Sequence, residues 1–188
     1  MRSGYRLVFM PALPNAALKK KLSERLGETN PFALPRIDRI VVNAGVGKRV
    51  VAEGKKALEP IERDLARITG QRPAVRPARK SIASFKLREG VPAGIMVTLR
   101  GRRAEDFLTR LIRIALPRTR DFRGVSPATL DARGNLNIGI REQTVFPEAA
   151  MEPTGVLFGF EITIVTTAKN RKEGEALFRA IGFPLREE

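Results

Sequence analysis

The sequence predicts an α+β fold, with a mixed, mainly antiparallel sheet covered by helices on one face and open on the other. Four segments alternate apolar and polar residues with a period of two, as half-buried strands do. Other segments repeat apolar residues with the 3.6-residue period of a helix. Strands with one polar side are typical of antiparallel or mixed sheets, because doubly wound parallel sheets are buried on both faces.

The first two elements are a helix and a strand. Apolar residues recur at every fourth position of Asn15–Leu26, which predicts a short basic helix ended by Gly27. A proline-marked turn follows, and then the segment Ile37–Asn43. This segment places Ile40 and Val42 on one side, which predicts a strand with one apolar face.

A longer helix and two further strands are expected next. The helix covers about Glu53–Thr69 and is ended by Gly70. Proline is costly inside a helix, so Pro60 marks a kink or a restart. A short strand is predicted near Ala74–Arg76 and a clear one at Ile95–Arg100, with a basic loop between them.

The last part of the chain adds two helices and two strands. In Ala104–Leu116, apolar residues fall on one face of a 3.6-residue period, which predicts a helix stopped by Pro117. Strands are predicted at Leu136–Arg141 and Phe160–Thr167 from their alternation, followed by a helix at Lys172–Ala180.

The polar sides of these strands define the open face of the predicted sheet. Its expected residues are Arg39, Asn43, Thr98, Arg100, Asn137, Arg141, Glu161 and Thr163. All of these side chains can form hydrogen bonds, and the arginines outnumber the single acid. The open face is therefore predicted to be polar and mostly basic.

The charge distribution indicates a polyanionic partner. The chain has 35 Lys and Arg against 20 Asp and Glu, a formal net charge of +15. Residues 1–140 alone carry +17, a field that attracts nucleic acid. The densest positive segment is Gln71–Gly90, in which Arg72 can neutralise phosphate and the ring of Phe85 can stack on an unpaired base.

Residue types that most hydrolases and metalloenzymes use are missing from the chain. It has no Cys and no His, which excludes thiol nucleophiles, thiolate or imidazole zinc sites and Ser-His-Asp triads. We therefore predict no catalytic residue, metal, cofactor or small-molecule substrate. The candidate carboxylate pairs are interpreted as ordinary surface acids, because nothing nearby marks either pair as buried or adjacent; they are Glu142 with Glu148 and Asp121 with Asp131.

Two other functions stay open on the residues alone. An RNA-modifying or RNA-cleaving enzyme would need a catalytic cluster or a cofactor. A non-specific nucleic-acid architectural protein would explain the charge but not the polar sheet face. No apolar run approaches the length of a membrane span, so no membrane partner is expected. Met1–Pro14 is basic and has no acid, as a weak organellar leader would, so the location is predicted as cytoplasmic or organellar.

Several long motifs resemble one family of ribosomal proteins. They are PRIDRIVVNAGVG (Pro35–Gly47), ITGQRPAVRPARKSIASFKLREGVPAGIMVTLRG (Ile68–Gly101), FLTRLIRIALPRTRDFRGVSP (Phe107–Pro127), GNLNIGIREQTVFPE (Gly134–Glu148) and ITIVTTA (Ile162–Ala168). In this order they are similar to the universal large-subunit ribosomal protein five, the 5S rRNA-binding L-five family, in its bacterial or organellar form. Residues 1–34 depart from the usual start of the family. We therefore divide the chain into a divergent N-terminal extension with a short basic helix, 1–34, and a single RNA-binding domain, 35–188.

The resemblance implies a non-enzymatic constituent of the large ribosomal subunit. Members of the family bind 5S rRNA and large-subunit rRNA in the central protuberance, contact peptidyl-site tRNA and bridge to a protein of the small-subunit head. The ribosome would be that of a bacterial cytoplasm or of an organelle.

The family motifs also imply roles for individual residues. The contacts with 5S rRNA are expected from Asn43, Gln71, Phe85 and Thr98, to which the charge pattern adds Arg39, Arg72 and Arg100. The element facing tRNA would be the loop that holds Arg79, Lys80, Ser81 and Lys86. The side facing the bridge would hold Arg118, Arg120, Arg123 and Arg133.

Overall fold

The fold is built on one five-stranded sheet. The computed structural model describes residues 15–28, 30–83, 86–151 and 154–186. The strand order is β2-β3-β1-β5-β4, and all four pairings are antiparallel. The strands are β1 (Ile37–Gly45), β2 (Ala74–Pro77), β3 (Pro92–Arg100), β4 (Leu136–Ile140) and β5 (Phe160–Thr166). The predicted α+β class is confirmed.

Helices cover the apolar side of this sheet. They are α1 (Asn15–Leu26), α2 (Gly47–Glu53), α3 (Leu58–Thr69), α4 (Arg102–Arg110), α5 (Leu116–Arg118), α6 (Pro147–Ala150) and α7 (Arg171–Ile181). Every second residue of β1, β3, β4 and β5 is buried in the core that α3 and α4 complete. The polar residues between them stay partly or fully exposed, as the alternation predicts.

Aromatic side chains fill the core between α4 and the sheet. The rings of Phe107 and Phe146 stack with centroids 5.7 Å apart, and Phe146 is tilted against Phe160 at 6.0 Å. A smaller apolar cluster joins α1 to α7 through Leu22 and Leu177. Burying such side chains contributes about 1.5–3 kcal/mol each, which holds the helices to one face of the sheet.

The helix predicted over 53–69 begins five residues later than expected and is preceded by a separate helix. Helix α2 ends at Glu53, a short 3₁₀ turn follows, and α3 begins only at Leu58. Pro60 lies in the first turn of α3, where its missing N–H has no helical partner to lose. The proline therefore marks a restart, and the predicted start at Glu53 was wrong.

The helix predicted over 104–116 is also more complex than its period indicates. Helix α4 passes into a π-helical segment at Leu111–Ala115, in which the Leu116 N–H bonds to the Leu111 carbonyl. Pro117 lies in the first turn of α5, so the helical path continues to Arg118 instead of stopping at the proline.

Candidate nucleic-acid interface

The antiparallel register arranges the open face in rows that cross the sheet. Residues opposite each other on neighbouring strands share a face. An amide row holds Ala74, Met96, Asn43, Glu161 and Gly139; a hydroxyl row holds Thr98, Val41, Thr163 and Asn137; an arginine row holds Arg100, Arg39 and Val165. Neighbouring strands are about 4.8 Å apart, so the five strands make a surface about 20 Å wide.

Asn43 and Thr98 both lie on this open face. Asn43 is exposed, and the position of a Cβ at Gly94 would be 3.4 Å from its Oδ1 atom. Thr98 is half-buried and lies opposite Val41 in the hydroxyl row. Neither side chain hydrogen-bonds to another of the described residues. Their amide and hydroxyl groups are therefore free for an external partner.

The hydroxyl row also contains a fixed polar pair. The Thr163 hydroxyl donates to Asn137 Oδ1 at 2.8 Å. This bond leaves the amide N–H groups of Asn137 available as donors. The sequence placed both residues on the open face, but it gave no sign that they bond to each other.

Two arginines lie at one end of the open face. Arg39 and Arg100 lie opposite each other on β1 and β3, and both contact Asp38, at 2.5 and 3.8 Å. Their side chains remain 39% and 61% exposed. One carboxylate shared by two guanidinium groups leaves a net positive charge at this end.

The open face also contains apolar residues, which are absent from the polar set predicted for it. Val41, Met96 and Val165 are half-buried on its surface. The strand alternation could have identified them, because each lies two positions from a polar open-face residue. Arg141, which was predicted on this face, lies just beyond the end of β4.

The segment before β2 and the loop after it form a cationic rim. Gln71 and Arg72 lead from α3 into β2, where Arg72 is exposed. The Thr69 hydroxyl donates a hydrogen bond to the Gln71 carbonyl oxygen at 3.2 Å, which fixes the backbone at Gln71. Phe85 lies outside the described residues.

The basic loop, residues 77–89, extends the β2–β3 hairpin. Its two sides are joined by hydrogen bonds from Ala78 N–H to Val91 O, 2.8 Å, and from Ile82 N–H to Leu87 O, 2.8 Å. The Ser81 hydroxyl accepts a bond from the Glu89 N–H. The positive side chains point outward: Arg79, Lys80 and Lys86 are all exposed. The described part of the loop is therefore an ordered cationic projection.

A second cationic surface is formed by the arginine loop, residues 118–134. Its exposed side chains are Arg118, Arg120, Arg123 and Arg133. Arg133 lies in the turn that opens β4, whereas Arg123 lies beside the C-terminal segment, where its carbonyl accepts a bond from Arg186 Nε at 3.1 Å. The four arginines thus belong to one loop but not to one contact cluster.

Asp131 organises this turn. Its Oδ1 atom accepts the N–H groups of Arg133 and Asn135 at 2.9 and 2.8 Å, and its Oδ2 atom accepts the Asn135 amide at 2.7 Å. Burial alone would raise the pKa of Asp131, but the bonds from Asn135 and Arg133 and the charge of Arg133 together hold it below its usual value. This carboxylate is structural.

The basic loop and the Arg133 turn lie at opposite ends of the sheet. The basic loop joins the start of β3, and the Arg133 turn meets the other end, where the Asn135 side chain accepts the Thr166 N–H. A nine-residue strand such as β3 spans about 30 Å. One molecule can therefore contact two distant partners at once.

Glu142 and Glu148 bond to different partners. Glu148 is ion-paired with Arg110, and Glu142 accepts a bond from the Thr144 hydroxyl at 3.4 Å. Within the described ranges, no group of three or more acidic residues could hold a metal ion. None of the helices in that part of the chain is long and apolar enough to cross a membrane.

Comparison with known proteins relates both halves of the chain to one family of ribosomal proteins. Residues 30–88 match the family described as Ribosomal protein L5, and residues 92–185 match the model described as the C-terminus of the same ribosomal family. The two matches follow each other along the chain and together include all five strands.

Curated relatives match over nearly the full length. The large ribosomal subunit protein uL5 of Rubrobacter xylanophilus is 53% identical over 186 residues, which cover 99% of this chain and 97% of that protein. The uL5 protein of a Synechococcus strain is 51% identical over 173 residues, covering 92% and 95% of the two chains. That of Nitrosococcus oceani is 52% identical over 166 residues, covering 88% and 91%.

Proposed function

Because the chain belongs to the ribosomal protein L5 family, whose members are non-enzymatic constituents of the large ribosomal subunit, we propose that its open face binds 5S rRNA. The observation that carries this proposal is the pair of unpartnered polar side chains, Asn43 and Thr98, on a sheet face with arginines at its end. Amide and hydroxyl groups bond to sugar hydroxyls and base edges, and arginines neutralise phosphates.

The proposed recognition is of RNA shape more than of sequence. A face about 20 Å wide suits a folded RNA, whose shallow minor groove displays 2′-hydroxyl groups. Gln71, Arg72 and Phe85 would extend the contact from the β2 side. The half-buried Val41 supports the same interpretation, because an apolar residue among polar ones packs against sugar or base and not against phosphate.

Further contacts are proposed at the two ends of the sheet. The basic loop, with Arg79, Lys80, Ser81 and Lys86, would face peptidyl-site tRNA. The arginine loop would face a protein of the small-subunit head. The Arg133 turn and the basic loop lie at opposite ends of the sheet, about 30 Å apart along the strands, which supports two different partners. The remaining cationic surface would contact large-subunit rRNA in the central protuberance.

The proposed location is the ribosome of a bacterial cytoplasm. The three relatives described above all come from bacteria and match at 51–53% identity. An organellar ribosome of bacterial type is the alternative.

Removing the two unpartnered groups tests the 5S rRNA proposal. Asn43→Ala and Thr98→Ala are each expected to weaken 5S rRNA binding by about 1–3 kcal/mol, because each leaves a desolvated RNA group without its partner. Filter binding of labelled 5S rRNA at fixed salt measures the loss. Thr109→Ala, on α4, is the matched control, because its hydroxyl bonds only to the Glu105 carbonyl of its own helix.

If both open-face variants fold and bind 5S rRNA with wild-type affinity, 5S rRNA must bind another surface of the protein. Competition with duplex DNA separates 5S rRNA recognition from non-specific binding. If duplex DNA displaces 5S rRNA at equal concentration, the protein is a non-specific nucleic-acid binder.

A further inference from the structure

A carboxylate without an ion pair among the described residues lies on the open face of a strongly cationic protein. Glu161 is exposed on β5, and its register partner on β1 is Asn43. It forms no ion pair or side-chain hydrogen bond with the described residues. A charged group on a proposed RNA surface that has no partner among the described residues needs an explanation, because it repels phosphate.

The space beside Glu161 is open. Its register partner on β4 is Gly139, and a Cβ placed at Gly139 would meet nothing within 4 Å. The backbone of Gly139 is outside the left-handed region, so the glycine is not required by the local conformation. On the side of β4, a ligand can therefore approach the carboxylate over bare backbone.

The neighbouring groups define what can approach. The register partner of Glu161 on β1 is Asn43, whose amide is uncharged. Arg39 and Arg100 lie two rows away at one end of the face. On the other side, Arg76 of β2 lies one row away. Phosphates are attracted to these arginines and to the basic loop, and the carboxylate of Glu161 repels them from the amide row. A carboxylate accepts hydrogen bonds but cannot donate one when ionised. An RNA group that bonds directly to Glu161 must therefore be a hydrogen-bond donor.

We propose that Glu161 is a specificity-determining residue of the RNA-binding face. Its carboxylate accepts hydrogen bonds from RNA donors, namely 2′-hydroxyl or base N–H groups, and keeps phosphate away from the amide row. Gly139 provides the room for that approach. The inference rests on the proposed binding of 5S rRNA by the same face.

The first test neutralises the carboxylate without changing its shape. Glu161→Gln is expected to weaken 5S rRNA binding about threefold to tenfold, because a charge-assisted hydrogen bond is roughly twice as strong as a neutral one. The same variant is expected to bind an unrelated RNA of equal length about twofold to fivefold more tightly, since one anionic repulsion is removed. The ratio of the two affinities therefore falls at least about sixfold. Glu53→Gln, an exposed acid on α2, is the matched control for net charge.

The second test fills the open space beside the carboxylate. Gly139→Val is expected to keep or raise the melting temperature, because valine favours strands and its Cβ meets no neighbour. It is also expected to weaken 5S rRNA binding at least about tenfold by blocking the approach. A 5S rRNA transcript carrying 2′-deoxy nucleotides separates the two donor classes: the Glu161→Gln effect disappears on it if the donor is a 2′-hydroxyl and persists if the donor is a base.

The outcomes separate this inference from the proposed function. Suppose that Asn43→Ala weakens 5S rRNA binding, but Glu161→Gln changes the affinities for both RNAs as Glu53→Gln does. The role of Glu161 is then contradicted, and the face still binds 5S rRNA. An equal gain in affinity for both RNAs in the Glu161→Gln variant would likewise contradict this role, because the carboxylate would then only repel phosphate. If Asn43→Ala and Gly139→Val both keep wild-type affinity, the proposed function itself fails.

Discussion

Gly174→Ala is expected to destabilise the protein by about 3–5 kcal/mol, although alanine normally stabilises a helix interior by about 1 kcal/mol relative to glycine. Gly174 is a buried residue of α7 that packs against Gly134. A Cβ at Gly174 would lie 2.5 Å from the Gly134 Cα atom and 2.6 Å from its carbonyl oxygen. Both atoms are backbone, so no side chain can rotate away to relieve the clash.

The opposing backbone is held in place. Gly134 has a φ of +76°, its carbonyl accepts the Thr166 hydroxyl at 2.9 Å, and its N–H donates to the Asp131 carbonyl at 3.1 Å. Moving it would break the turn that Asp131 organises. Overpacking is therefore expected to cost more here than its usual range of about 1–3 kcal/mol.

Chemical denaturation measures this effect directly. Gly47→Ala is the control, because its added Cβ would meet its nearest atoms at 3.7 Å and should leave the free energy of unfolding unchanged or raised. A Gly174→Ala variant as stable as the Gly47→Ala variant would show that α7 does not pack on the Gly134 turn as described.

Val41→Glu is expected to weaken 5S rRNA binding by more than about 3 kcal/mol, a factor above roughly 100. Val41 is half-buried in the hydroxyl row, between Thr98 and Thr163. A new carboxylate there would place a negative charge under the centre of the bound RNA. No hydrogen-bond donor of the RNA would be positioned to bond to it. Like charges brought together at an interface cost several kcal/mol.

The fold of this variant should survive, because the side chain of Val41 already lies on the open face. Val51→Glu is the matched control: Val51 is 41% exposed on α2, away from the open face. Both variants lower the net charge equally, so long-range attraction to RNA changes equally. Loss of affinity of the same size in both would show that total charge, and not the open face, determines binding.

The sheet and its open face could be predicted from the sequence, because the period of two needs only local information. Ile40, Val42 and Val97 are buried, and Asn43 and Thr98 face outward, as the alternation indicates. The observed strand bounds differ from the predicted ones by a few residues, because backbone pairing continues where side-chain alternation is lost. Strand β1, for example, continues to a glycine at its end.

Other features depend on contacts between distant residues and left no local signal. The restart before α3 and the π-helical segment after α4 interrupt patterns that look continuous in apolar periodicity. The contact between Gly134 and Gly174 joins residues far apart in the sequence. The separation of the basic loop from the Arg133 turn follows from the strand order, which single-strand patterns do not determine.

The most direct test of the open face compares the two sides of the same strands by methyl NMR on titration with 5S rRNA. The methyl groups of Val41, Met96 and Val165 report on the open face, and those of Val42, Val97 and Ile164 report on the buried face. We expect large shifts or broadening for the first set and small changes for the second. Unchanged open-face methyl groups in a saturated complex, with the shifts confined to the helices, would contradict the account.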